Sequence, residues 1–256
     1  MTLEQTRVET PETVGRHVAM GAEAVFGLVA ALRTATEELF ARARGAGRTM
    51  SVADLDEIDA IAIGTLGGVE GIIPGAGFVA APHTLSDAPR WLQWWQQGRT
   101  GAPTRLVAEL DPSKDRFYDY TELPWFAVPA STGRRHITGP YVDYVCTDEY
   151  ALTFTEPIFD DGRFVGVAGA DVFVNRYESL ELPPLRSLPA AAALVNTQGR
   201  VIVSNTARLV TGSLVRRPDV ASFFASGEAT SDQQGITLQR CGDVPIVLLV
   251  GDRLIG

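Results

Sequence analysis

The sequence predicts an α+β fold in which a long N-terminal helix is followed by two antiparallel-sheet modules. Residues 11–44 carry apolar side chains at a helical period. Residues 150–158 alternate apolar and hydroxyl side chains, and residues 164–174 are mostly apolar, which predicts two strands of a hairpin. A smaller set of hairpin signals follows near the C-terminus. We therefore expect three segments: N-terminal helices over 1–63, a larger module over 64–181 and a smaller module over 182–256.

The long helix is predicted by its cap and by its apolar stripe. Thr10 is a suitable N-cap, and Pro11 stands at the first helical position, where its missing N–H does no harm. A helix of about 34 residues, ~50 Å long, exceeds what a small domain needs to cover. We expect it to pack on its own domain and, as an alternative, to form the seam of a homodimer. The stripe consists of Val14, Val18, Val25, Leu28, Val29, Leu32 and Leu39.

The next segment is predicted to contain one short helix and then strands. Ser51 with Asp54 three residues later resembles a capping box. The glycine-rich stretch that follows contains no phosphate-loop motif, so its glycines are interpreted as strand or bulge positions. Trp91 and Trp95 are spaced for one face of a short helix, where tryptophans mostly pack in a core. The predicted elements are strands over 65–73 and 77–81, a helix over 87–98 and a strand over 104–110.

The stretch over 125–171 predicts an antiparallel meander that carries isolated acids and aromatic residues. Its strands are predicted over 137–144, 150–158 and 164–174, with a hairpin turn at Asp160-Asp161-Gly162. Asp171 lies inside an otherwise apolar run. A carboxylate in such a place is unfavourable without a partner, and a bound ligand is one partner that would explain it.

A segment rich in proline over 182–185 is interpreted as a linker between the two modules. The smaller module beyond it is predicted to contain two hairpins and one helix. The hairpins pair 191–196 with 201–205 and 235–240 with 245–251, and the helix covers 218–225.

Composition and charge exclude several classes of function. A formal charge of −9 and a pI near 4.9 argue against nucleic-acid binding, which requires clustered basic residues. The two cysteines, Cys146 and Cys241, lack metal or redox spacing and are expected to be reduced thiols. The N-terminus shows no secretory signal, and the apolar segment 18–32 contains Glu23. We therefore expect no membrane insertion and a cytoplasmic location.

A set of motifs resembles the double Cache (PAS-like) sensor domains. The motifs are WF at 125–126, PYVD at 140–143, TFTEPIFD at 153–160, a DG turn at 161–162 and GVAGADV at 166–172. The long leading helix, the larger first module and the smaller second module are also similar to that family. The resemblance implies two PAS-like modules, a small-molecule sensor without catalytic activity, and an unidentified downstream signalling protein. Members of the family usually lie outside the membrane, on receptors and kinases, from which the predicted cytoplasmic location departs.

The candidate site can be argued from the residues themselves. Tyr141 and Asp143 alternate on a predicted strand and therefore face the same side. Asp171 lies two strands further along the meander. Two carboxylates and a phenol would hold a cationic group through charge-assisted hydrogen bonds of roughly 1.5–3 kcal/mol each. Trp125, with Tyr118 or Tyr120, would add cation–π contacts of ~0.5–2 kcal/mol. The alternative for each residue is structural: a turn cap, a core tyrosine or a carboxylate that bonds backbone amides.

The resemblance also bears on the ligand. In amino-acid-binding members an Arg two positions before the Trp holds the substrate carboxylate, and here Leu123 stands at that position. The resemblance therefore implies a small amine, a polyamine or a quaternary ammonium more than an amino acid. A carboxylate ligand stays open as an alternative if Arg134, Arg135 or His136 reaches the pocket. By itself that basic triplet is typical of a solvated loop.

Enzymatic interpretations find little support in the sequence. No nucleophile elbow or zinc-protease motif is present, and His17, His83 and His136 are scattered. We expect no catalytic residue, no metal and no cofactor. Two alternatives stay open: a hydrolase that uses Asp143 and Asp171, and a dimeric scaffold that acts through the long helix.

Overall fold

The protein consists of one long helix, several short helices and two antiparallel sheets. The structure is a computed structural model that describes residues 9–98, 100–142 and 149–254. The helices are α1 Pro11–Gly45, a 3₁₀ helix Val52–Ile58, α2 Asp59–Thr65, the single turn α3 Gly68–Gly71, a 3₁₀ turn Tyr120–Glu122, α4 Pro124–Thr132, α5 Val174–Arg186 and α6 Val220–Ser226. The strands are β1 Gly75–Ala80, β2 Trp91–Gln97, β3 Pro103–Arg105, β4 His136–Val142, β5 Tyr150–Asp160, β6 Arg163–Phe173, β7 Ala192–Asn196, β8 Val201–Ser204, β9 Thr230–Gln233, β10 Ile236–Arg240 and β11 Ile246–Val250.

Contacts divide the chain into two compact units, each discontinuous in sequence. The larger unit comprises Glu23–Thr138 and Val142–Phe173. The smaller unit comprises Met1–Ala22, Gly139–Tyr141 and Val174–Gly256. Both α1 and β4 contribute residues to each unit, so neither unit is one continuous segment of the chain.

The larger unit is built on a six-stranded sheet with the order β3-β2-β1-β6-β5-β4. One face of this sheet packs against α1. Phe26 of α1 contacts Phe154 of β5 with ring centroids 5.2 Å apart, and Phe40 contacts Phe78 of β1 at 6.1 Å. These edge-to-face pairs fix the helix on the sheet, which leaves the opposite face for other contacts.

The smaller unit contains a five-stranded sheet with the order β8-β7-β11-β10-β9. Its core is apolar and lies between the sheet and α6, where alternate strand residues such as Val247 and Leu249 are fully buried. Asp219 caps α6, and its carboxylate accepts the backbone N–H of Ser222 at 3.0 Å.

The fold class and most of its strands are confirmed. The α1 helix begins at Pro11, and the Thr10 hydroxyl accepts the backbone N–H of Thr13 as predicted for a cap. The predicted capping box is present, since Asp54 accepts the backbone N–H of Ser51 at 2.8 Å. The β5–β6 turn places Asp161 and Gly162 at positive φ, and both C-terminal hairpins form.

Several local predictions are wrong. The segment 87–98, expected to be helical, contains strand β2, and 65–73 is not a strand but holds the end of α2 and the turn α3. The strand expected over 104–110 is only three residues long. The supposed linker 182–185 lies inside α5, which accommodates Pro183 and Pro184 in its last turns. Helix α4 and strand β9 were not predicted.

Candidate ligand-binding site

The sheet face opposite α1 in the larger unit carries Asp171, and strand register determines its neighbours. Directly opposed residues of adjacent strands point to the same face. One row across the sheet is therefore Thr153, Asp171, Gly75 and Gln96. The next row is Thr155, Gly169, Gly77 and Trp94. We call these eight residues the Asp171 face.

Asp171 is nearly buried and is held by a neighbouring strand. Only 8% of the residue is exposed. The hydroxyl of Thr153, its partner across the β5–β6 ladder, donates to Asp171 Oδ1 at 2.7 Å. The bond links the carboxyl group of β6 to the side chain of β5. It fixes the orientation of the carboxylate on the sheet.

The glycines of this face make room for the indole of Trp94. A Cβ on Gly75 would lie 2.8 Å from Trp94 Nε1 and 3.2 Å from Asp171 Oδ2, and a Cβ on Gly169 would lie 3.4 Å from Trp94 Cη2. The indole thus extends over the glycine positions towards Asp171. Trp94 is only 5% exposed. Glycine is needed here because any other residue would displace the ring.

Three buried polar atoms of the Asp171 face have no hydrogen-bond partner within the described part of the chain. They are Trp94 Nε1, Gln96 Oε1 and Thr155 Oγ1. Buried polar atoms are nearly always paired, and each orphan lowers stability by about 1–3 kcal/mol. Their grouping on one sheet face, beside a carboxylate, is typical of a site that a ligand or ordered water completes.

Two of the aromatic residues predicted for the site, Trp125 and Tyr120, pack together at the start of helix α4. Pro124 occupies the first turn of the helix, a position that suits proline, and the next residue is Trp125. Trp125 stacks on Tyr120 with ring centroids 6.3 Å apart. The Tyr120 hydroxyl donates to the carbonyl of Ala80 at 2.7 Å, and burial raises the pKa of Tyr120 to about 12. Tyr120 is fully buried, so the structure places it in the core beneath Trp125.

The structure does not bring all predicted site residues together. Tyr118 is half-buried on the loop before the Tyr120–Glu122 turn. Tyr141 is half-buried near the end of β4 and belongs to the smaller unit. Asp143 lies outside the described residues. The convergence of Tyr141, Asp143 and Asp171 therefore stays a prediction.

Residues 134–136 form the basic triplet considered as an alternative anchor for a carboxylate ligand. One of them, Arg135, is bound to helix α1 instead. Arg135 donates to both carboxylate oxygens of Glu23, at 2.7 Å for the Nη1 bond, and lies 4.5 Å from the ring centroid of Phe26. The hydrogen bond from Arg135 lowers the pKa of Glu23. Arg134 is exposed, and burial lowers the pKa of His136, which favours its neutral form. Arg135 thus anchors α1 to the sheet of the larger unit.

Several residues of the Asp171 face are absent from the site predicted from the sequence. For two of them, Thr153 and Thr155, the sequence pattern indicates a shared face. Thr153 and Thr155 alternate with apolar residues on β5, a pattern that places them on one face. Trp94 and Gln96 escape prediction because the spacing of neighbouring tryptophans suggests a helix where β2 forms. Within the described ranges, no group of three or more His, Cys, Asp or Glu side chains is placed to hold a metal ion.

Helix α1 bears on the predicted location. By length and composition it is long and apolar enough to cross a membrane, contrary to the expectation for residues 18–32. The core helix of a globular protein meets the same criterion, so this property alone does not distinguish the two cases.

Comparisons with known proteins concern both sequence and fold. Residues 104–177 match the family model described as the first PDC sensor domain of methyl-accepting chemotaxis protein-like proteins. No protein with a curated description matches the chain in sequence. The extracellular domain mmHK1S-Z3, described as belonging to a histidine kinase, is similar in structure with a TM-score of 0.67. It is 13% identical, and the match covers 96% of this chain and 92% of that one.

Two further solved structures share the fold over most of the chain. Methyl-accepting Chemotaxis protein X has a TM-score of 0.63 and is 18% identical, with 94% of this chain and 95% of that chain covered. The sensory domain of the Campylobacter jejuni chemoreceptor Tlp3 has a TM-score of 0.50 and is 12% identical, with 93% of each chain covered. At sequence identities this low, the structural similarity shows a common fold and nothing further.

The comparisons correct the predicted location and confirm the predicted resemblance. A cytoplasmic location is contradicted, because mmHK1S-Z3 and a second similar structure, mmHK1S-Z2, are extracellular domains. The absence of a recognised secretory signal does not establish a cytoplasmic location. The chain has the double Cache (PDC, PAS-like) fold of sensor domains over its length, and its residues 104–177 match the first PDC sensor domain of chemoreceptor-like proteins.

Proposed function

We propose that this chain is a non-catalytic sensor module outside the cytoplasm, whose larger unit binds a small amine-bearing metabolite at the Asp171 face. The ligand classes are a primary amine, a polyamine, a quaternary ammonium or an amino acid. The observation that carries the proposal is Asp171 itself: a carboxylate that is 8% exposed, oriented by Thr153 and adjoined by unpaired polar atoms. A cation that binds there would form charge-assisted hydrogen bonds with this carboxylate.

Three further observations support the proposal. The family match over 104–177 includes Asp171 and Trp125. The similar extracellular domains support a location outside the cytoplasm. The engagement of Arg135 by Glu23 favours an amine over a carboxylate as the charged group that is recognised. A homodimer through α1 and an unidentified downstream signalling protein stay predictions.

Binding assays with an isosteric pair of variants test the proposal. Thermal shift and calorimetry with a panel of amines and organic acids should show that amines stabilise the wild-type chain. Asp171→Asn keeps the shape but removes the charge, and should lower amine affinity about ten- to hundredfold, the loss expected for charge-assisted hydrogen bonds.

The control is Asp161→Asn at the β5–β6 turn, where the side chain is 81% exposed and Asn tolerates the positive φ of 48°. This variant should bind amines as the wild type does. Unchanged amine affinity in Asp171→Asn, or a response to organic acids alone, would refute the amine site.

A further inference from the structure

The unpaired polar atoms of the Asp171 face indicate which hydrogen-bonding groups the ligand carries, in addition to its charge. Trp94 Nε1 can only donate a hydrogen bond, whereas Gln96 Oε1 can only accept one. Both are buried without a partner in the described part of the chain. A ligand that completes this face must therefore present an acceptor to Trp94 as well as donors to the oxygens.

The donor and the carboxylate lie close to one another. Trp94 Nε1 and Asp171 Oδ2 are 2.8 and 3.2 Å from the same point, the position that a Cβ on Gly75 would occupy. A small molecule can reach both atoms only if its acceptor is within a few bonds of its ammonium group. The oxygen of Gln96 comes from the same row of the sheet as Asp171, on the other side of Gly75.

We infer that Trp94 is a specificity-determining residue whose indole N–H selects ammonium compounds that carry a nearby oxygen acceptor, such as amino alcohols and amino amides. The inference rests on the proposed amine site and narrows it. An indole N–H is a neutral donor, in contrast to the guanidinium group of an arginine. A neutral donor does not supply the charge that favours a carboxylate, so a hydroxyl or amide oxygen suits it.

Simple alkyl amines leave the Trp94 donor unpaired, and an unpaired buried donor lowers affinity. Quaternary ammonium compounds have no N–H to offer to Asp171 or Gln96. The face therefore discriminates among cations by hydrogen bonding, and not by charge alone.

Matched ligands and matched tryptophan variants test this inference. Ethanolamine and ethylamine differ mainly in the hydroxyl group, and their dissociation constants for the wild-type chain should differ by about three- to tenfold in favour of ethanolamine. In Trp94→Phe, which keeps an aromatic ring but lacks the donor, this ratio should fall to about one.

Trp95→Phe is the control, because Trp95 is adjacent in β2 but points to the opposite face, where its Nε1 donates to Asp59 at 2.7 Å. The control should keep the wild-type ratio. A wild-type preference that survives in Trp94→Phe, or the absence of any preference in the wild type, would overturn the inference.

A measurement on the wild-type chain covers the case in which Trp94→Phe does not fold. The chain has four tryptophans, so ¹⁵N labelling gives four indole signals, which the Phe variants that fold help to assign. Ethanolamine should shift the Trp94 indole signal downfield and ethylamine should not; equal shifts would contradict the inference. Failure of the proposed function gives a different result from failure of this inference alone. If the amine site is wrong, no amine binds in a manner that depends on Asp171.

Discussion

Thr153 and Asp171 face each other across the β5–β6 ladder, and the threonine hydroxyl donates to the carboxylate at 2.7 Å. The contact joins two eleven-residue strands that lie within the matched family segment 104–177. Because Thr153 is itself buried, the carboxylate is held in one orientation rather than moving among rotamers. Preorganisation of this kind raises affinity by lowering the entropy lost on binding.

Removal of the Thr153 hydroxyl should weaken amine binding without loss of the fold. Thr153→Val keeps a β-branched side chain on the strand but leaves Asp171 without this donor, and we expect amine affinity to fall by about three- to tenfold. Thr153→Ser keeps the hydroxyl and should remain close to the wild type. Calorimetric titration of both variants with one amine measures the effect, and equal affinities would show that the hydroxyl does not orient Asp171.

Because Trp94 lies close to Gly75, a methyl group added at position 75 should destabilise the fold. In Gly75→Ala the new Cβ would lie 2.8 Å from Trp94 Nε1, so the indole must move and the free energy of unfolding should decrease by about 1–3 kcal/mol. Urea denaturation followed by tryptophan fluorescence measures this, because all four tryptophans lie in the larger unit.

Gly27→Ala provides the comparison for that substitution. A Cβ on Gly27 would meet no atom within 4 Å, and the residue lies inside α1. The higher helix propensity of alanine should therefore raise the stability by up to about 1 kcal/mol. If both alanine variants changed stability in the same direction, the clash with Trp94 would not be the cause.

The error on β2 shows where sequence patterns stop being informative. Trp91 and Trp95 have the spacing of a helix face, yet in a strand the same residues also share a face, because both numbers are odd. Seven residues are too few to separate the two periods, and β2 is selected by its pairing with β1 and β3. The correct assignment places Trp94 on the sheet face opposite to Trp91 and Trp95, which the helical spacing does not predict.

Proline residues led to a wrong prediction in α5, whereas Pro124 indicates the start of α4, a helix that was not predicted. Pro183 and Pro184 suggested a linker, but they lie inside the last turns of α5, which ends at Arg186. Pro124 at the start of α4, with Gly133 in the left-handed conformation at its end, is a helix signal in the sequence itself. Longer elements with local caps, such as α1 and the β5–β6 hairpin, were predictable because their signals do not depend on distant partners.

Arg135 should contribute to stability and not to ligand recognition. Its bidentate bond to Glu23 and its position over Phe26 fasten α1, and Arg135→Ala should lower the free energy of unfolding by about 1 kcal/mol. The ion-pair part of this stability should disappear as the pH falls through the lowered pKa of Glu23. Urea denaturation at several pH values measures both effects. A loss of affinity for organic acids in this variant would instead support the alternative carboxylate site.

A buried acid in the smaller unit gives the chain a distinct dependence on pH. The Glu181 side chain is 2% exposed, and its Oε2 lies 3.8 Å from His17 Nε2 of α1, with no hydrogen-bond partner among the described residues. Among the residues that the structure describes, the other titratable groups around it are Tyr177, one turn earlier on α5, and the buried thiol of Cys241. Burial raises the pKa of Glu181 to about 7, and the nearby Tyr177 hydroxyl opposes this only in part.

The free energy of unfolding of the smaller unit should therefore fall as the pH rises from 5 to 8. The folded state keeps the Glu181 proton up to about pH 7, whereas the unfolded chain releases it near 4.5, so folding binds a proton between these values. The expected loss is about 2–3 kcal/mol. Glu181→Gln should abolish this loss and be more stable than the wild type at pH 8, whereas Glu178→Gln on the same helix should keep it. Urea denaturation followed by circular dichroism measures it, since the smaller unit has no tryptophan; a loss that persists in Glu181→Gln would assign the proton to another group.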